Sequence, residues 1–130
     1  MSKVLSTGFF KGVPFDATIT LADEADNARA VTIQLLDFSG RPLHGRATIF
    51  AYLSAVSTGL DFGTAEVTTE TAIGTDGSLS VEVTGIAYKI TSEIDGDIDI
   101  VLTDTGTDTH YLVLVMPSGK LVVSDAIAFA

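Results

Sequence analysis

HYLVLVMPSGKLVVSDAIAFA, residues 110–130, is the stretch on which the fold class turns. Two apolar runs, 111–116 and 121–129, flank Pro117-Ser118-Gly119-Lys120. Proline pre-sets the dihedral of a turn's first corner and glycine takes the left-handed seat that follows, so the segment reads as a bulged β-hairpin with Gly119 at positive φ. In the first strand Tyr111, Val113 and Val115 alternate with Leu112, Leu114 and Met116. A strand apolar on both faces is expected to be covered on both. In the second, read as one continuous strand, Leu121, Val123, Ile127 and Phe129 share a face, and Val122, Ser124, Ala126, Ala128 and Ala130 share the other. Small residues permit close approach, which makes Ser124, Ala126 and Ala128 a candidate oligomer face.

Outward from the hairpin, the same period of two recurs in short runs at 17–21, 30–36, 46–54, 78–83, 87–91 and 97–103, with a threonine-rich edge strand at 65–71. Between them stand Asp37-Phe38-Ser39-Gly40, Thr75-Asp76-Gly77 and Asp95-Gly96, all with turn chemistry. Eight or nine short strands without any long 3.6-residue pattern predict an all-β fold, a two-sheet antiparallel β-sandwich of immunoglobulin-like or jelly-roll type. The interior is expected to hold Ile33, Leu35, Ile49, Leu53, Val81, Ile90, Ile100, Leu112, Leu114 and Val123. Residues 55–63 read as a loop with Leu60 and Phe62 exposed, and residues 16–130 as a single domain. Residues 1–15 read as an extended arm bearing Phe9, Phe10 and Phe15 with Lys3 and Lys11 and no acidic residue. A phenylalanine left in water forfeits about 2 kcal/mol, so the arm is expected to dock through Phe9, Phe10, Lys11 and Phe15 on another protomer or a larger surface.

At 130 residues the chain can bury a core without staples, and with no cysteine it has neither disulfides nor thiolate metal ligands. A net charge of −10 with only seven Lys and Arg argues against nucleic acid as a partner. No run approaches the roughly twenty apolar residues of a membrane helix, so no membrane is expected, and the chain is expected to start near Met1 without a signal peptide. A mean hydropathy of +0.42 is high for a water-facing monomer of this size. A homo-oligomer, dimer or trimer, would bury the excess.

The residues offer little chemistry. No phosphate loop, nucleophile elbow or HExxH pattern occurs, and no catalytic, cofactor or metal residues are expected. His44 and His110 are read as structural. Asp95, Asp97 and Asp99 alternate as calcium ligands on one strand face would, but Asp95-Gly96 as a turn followed by the solvent side of a strand explains them as well, and that reading is preferred. Arg29, Arg41 and Arg46 lie close in sequence and are candidates for docking an acidic partner, against the simpler role of balancing carboxylates such as Asp37.

The stretches VTIQLLDFSGRPLHGRATIFAYLS and TDGSLSVEVTGIAYKI resemble the strand, turn and strand order of immunoglobulin-like modules. AIGTDG, TSEIDGDIDI and YLVLVMPSGKLVVSDAIAFA are similar to a group of small proteins encoded among the structural genes of tailed bacteriophages, and together the resemblance spans about residues 30–130. It implies a virion protein without enzymatic activity, made in the host cytoplasm: a decoration or cement protein on the outer head surface, with the major capsid protein as partner. The alternative is a receptor- or glycan-binding module of a tail or head fibre, although the chain has no tryptophan to serve as a sugar platform.

Overall fold

Ten strands form among the residues that the computed structural model describes, 12–61 and 69–129. They are β1 (Asp16–Leu21), β2 (Ala28–Leu36), β3 (Thr48–Ser54), β4 (Thr69–Ile73), β5 (Ser78–Val83), β6 (Ala87–Thr91), β7 (Asp97–Thr103), β8 (Thr109–Val115), β9 (Leu121–Val123) and β10 (Ile127–Ala128). All pairings are antiparallel, in one sheet of order β1-β2-β7-β4 and another of order β10-β8-β3-β6-β5 with β9 also on β8. The chain is a two-sheet β-sandwich. Its strand order follows the immunoglobulin scheme, with β1-β2-β7-β4 in the places of A-B-E-D and β9-β8-β3 in those of G-F-C, while the β5–β6 hairpin widens the second sheet beside β3.

The core lies where the period of two sends alternate side chains. Val31, Ile33, Leu35, Ile98, Ile100 and Leu102 from the first sheet meet Ile49, Leu53, Tyr88, Ile90, Leu112 and Leu114 from the second. Inside it the Thr71 hydroxyl bonds the Tyr88 hydroxyl at 2.7 Å, so β4 reaches across to β6 through a satisfied polar pair.

Two expected interior residues are elsewhere. Val81 lies on edge strand β5, just before a register shift, and is 41% exposed. Val123 packs on the outer face of its sheet, with Tyr52, Ala87 and Val113. The reason is that the stretch 121–129 is two strands and not one. Ser124 turns inward, its Oγ accepting the Leu112 N–H at 2.9 Å and donating to the Asp125 carbonyl at 2.8 Å, and the chain pairs again only at Ile127. Val122 therefore joins the main core along with Ile127 and Phe129, and Leu121 joins Val123 outside.

That outer cluster answers what covers the second face of β3 and β8. Val113 is fully buried there because the loop after β3 folds back over the sheet. The Tyr52 hydroxyl donates to the Gly59 carbonyl at 2.5 Å, and a Cβ on Gly59 would lie 3.0 Å from Val113 Cγ2 and 3.1 Å from Val123 Cγ2. Only a residue without a side chain, here at φ 76°, lets the backbone come so near. Gly40, Gly77 and Gly119 take positive φ as expected of their turns.

Candidate functional site

The end of the sandwich where β2 leaves its sheet is built by turns. Asp37, buried, accepts hydrogen bonds at Oδ1 from the Ser39 hydroxyl (2.7 Å), the Ser39 N–H (2.9 Å) and the Arg41 N–H (3.1 Å). These bonds, the Ser39 hydroxyl foremost, hold its carboxyl below the usual carboxylate range. The turn returns the chain so that Leu43 N–H reaches the Leu35 carbonyl at 3.0 Å, and Leu43 plugs the core. Opposite it, the β6–β7 turn presents Ile94, 70% exposed. Pro42, Leu43, His44, Ile94 and Asp95 then line an open, mainly apolar depression of about 350 Å³. Gly45 N–H bonds the Ile94 carbonyl at 2.6 Å, and a Cβ at Gly45 would lie 3.9 Å from Gly12 Cα, which places the first described residue beside this depression. Phe38, 50% exposed, lies at the tip of the Asp37–Gly40 turn.

The residues singled out in the sequence disperse. Of the arm, Phe9, Phe10 and Lys11 lie outside the described residues, as do Phe62 and Ala130. Phe15 is already engaged at the start of the sandwich: its N–H bonds the Leu36 carbonyl at 2.9 Å, and Lys120 Nζ stands 5.3 Å from its ring centre while pairing with Asp16 at 3.1 Å. The three arginines do not converge. Arg29 sits at the far end of β2, where its guanidinium donates to the carbonyls of Ala22 (2.9 Å) and Ala128 (3.1 Å), whereas Arg46 pairs with Glu93 at 3.4 Å. Ser124 does not share a surface with Ala126 and Ala128, because it is buried and bonded while they are exposed.

The carboxylates regroup too. Asp95 stays in its turn, its side chain accepting the Asp97 N–H at 3.3 Å, and Asp76 from the β4–β5 turn takes its place beside Asp97 and Asp99. Burial, then the hydrogen bond with Asp76 and the charges of Asp99, Asp76 and Asp95, push the Asp97 carboxyl up to about 6. Strand alternation could not reveal Asp76, which arrives from another turn. His110, expected to be structural, is buried with Nε2 2.7 Å from Oδ2 of buried Asp104, and Asp108 lies alongside, a pairing with carboxylates that was not foreseen. The signal was present in the turn itself, Asp104-Thr105-Gly106-Thr107-Asp108-Thr109-His110, where an acid, an acid and a histidine are spaced to fold back on one another.

No family model, curated protein or solved structure matches the chain.

Proposed function

We propose that this β-sandwich is a structural virion protein of a tailed bacteriophage, a decoration or cement protein that docks as a dimer or trimer on the outer head surface, with the major capsid protein as its partner. The resemblance of residues 30–130 to small phage structural proteins supplies the identity of the particle. One observation carries the docking role: the chain fills its core and covers much of its second sheet from within, yet leaves Ile94, Leu60 and Phe38 in solvent. Exposed apolar side chains gathered around a depression, as Ile94 is with Pro42 and Leu43, suit contact with a partner. Acidic surface charge suits a protein working on the outside of a packaged genome, since it opposes wandering onto nucleic acid. The alternative as a glycan-binding module finds less support, because Tyr52 and Tyr88 are buried and Tyr111 is half-buried within β8, so none offers a flat exposed platform. Quantitative mass spectrometry of purified virions tests the reading. It predicts a copy number in fixed, low-integer ratio to the major capsid protein, and a handful of copies per particle would place the protein on the tail or neck instead.

A further inference from the structure

We propose that Asp104, Asp108 and His110 bind a divalent transition-metal ion of the zinc class, which ties the C-terminal strand to the sandwich. The argument begins with the turn between β7 and β8. Asp104 N–H bonds the Asn27 carbonyl at 2.9 Å, and Asp104 Oδ1 accepts the Gly106 N–H at 2.9 Å, which aims its carboxylate into the bend. The chain then returns so that Asp108 faces it. A Cβ on Gly106 would lie 2.5 Å from Asp108 Oδ2 and 3.3 Å from Asp104 Oδ1, so two carboxylates close over one glycine. His110 enters from β8, its side chain 3% exposed, with Nε2 2.7 Å from Asp104 Oδ2. One ligand atom from each of the three residues lies within 4.8 Å of the others.

A second observation points to a ligand. His110 Nδ1 is buried and has no hydrogen-bond partner. Interiors seldom leave a polar atom so, and an ion is among the few things that explain one. The imidazole points its Nε2 into the carboxylates, and an ion there replaces the proton shared with Asp104 and takes all three residues as ligands. One nitrogen and two carboxylates suit zinc-like ions, whereas calcium and magnesium want six or more oxygens. Asp108 is exposed, which gives the ion a way in.

The location gives the ion a consequence. His110 is paired with Ile127 of β10, its ring meets Phe129 edge-on at 5.9 Å, and the Asp108 carbonyl accepts the Phe129 N–H at 2.8 Å. An ion on these three residues therefore holds the side of the sheet on which the two-residue strand β10 depends.

Calorimetric titration of the EDTA-stripped full chain with zinc chloride alone tests this. The expected result is one zinc per chain, affinity reduced about tenfold or more in Asp108→Asn, and no change in His44→Ala. Asp108 is exposed, so its amide variant should keep the circular dichroism of the parent and report on the ion alone. Slower hydrogen exchange at Ile127 and Phe129 with zinc should accompany binding. Lack of saturable binding up to millimolar zinc would overturn the proposal, and so would binding lost in His44→Ala but kept in Asp108→Asn. Calcium binding at these residues as tight as zinc would overturn the assignment to a zinc-class ion.

Discussion

Asp97 shows how a single side chain can oppose the fold that holds it. Its carboxyl is pushed up to about 6, first by burial and then by Asp76, Asp99 and Asp95. A folded-state value above the unfolded one, near 4, means that folding favours the protonated acid. The stability this provides is present below about pH 4 and is lost as pH rises through about 6. With solvent screening discounted, the loss is about 1 kcal/mol. Asp97→Asn is therefore expected to melt above the parent at pH 7, with the gap closing by pH 4, and thermal melts at the two pH values check it. Asp16 and Asp37 act in the opposite sense. The Ala17 N–H chiefly holds Asp16 down and the Ser39 hydroxyl chiefly holds Asp37 down, so their contributions are lost in more acid solution. Tyr52 is a second residue whose role is readable from its partners. Tyr52→Phe leaves the Gly59 carbonyl without its donor and is expected to cost about 1 kcal/mol in chemical denaturation, with the loop over Val113 loosened. Neither role was legible in the sequence. Alternation places Tyr52 on the outer face but is silent on a loop returning to meet it, just as it is silent on Asp76 joining Asp97.

At the scale of elements, legibility followed the local signals. The hairpin of β8 and β9 is set by Pro117-Ser118-Gly119-Lys120: Gly119 sits at φ 91°, Met116 N–H bonds the Lys120 carbonyl at 2.9 Å, and both follow from residues within four positions of one another. Bounds of β5, β6 and β7 likewise agree with the runs 78–83, 87–91 and 97–103, because a turn residue stands near each end. The extent of the last strand was misread because Ser124 resembles any small residue of an alternating run, and its inward hydrogen bond to Leu112 depends on a neighbour twelve positions away. Leu114 is the sharpest element-level probe. It is fully buried on β8 with Ala51 opposite on β3 and Val122 opposite on β9, so Leu114→Ala should lose about 2–5 kcal/mol by denaturant unfolding. A loss well below that range would mean that the sandwich collapses around the gap. Gly119→Val should also destabilise, since a β-branched residue is strained at positive φ even though open space surrounds it.

The whole molecule joins a closed sandwich to an incompletely hidden surface. High mean hydropathy led to the expectation of a homo-oligomer that buries the excess, and the chain's own loop after β3 already covers much of the outer face of β3 and β8. Among the described residues the most exposed large apolar side chains are Leu60 on the loop, Ile94 over the depression with Pro42, Leu43 and His44, and Phe38 on the neighbouring turn. Leu60 was legible as an exposed loop residue, whereas Ile94 and Phe38 were not, because their exposure depends on which strand ends lie side by side. If the protein works by docking, Ile94 should matter to the contact and not to the fold, as 70% of it is already in water. Co-sedimentation of the purified protein with phage heads stripped of it, for the parent and for Ile94→Asp, tests the docking role most directly. Saturable binding by the parent, weakened at least tenfold in a variant with the parent's melting temperature, is the predicted result; absence of parental binding, or equal binding by both chains, would contradict it.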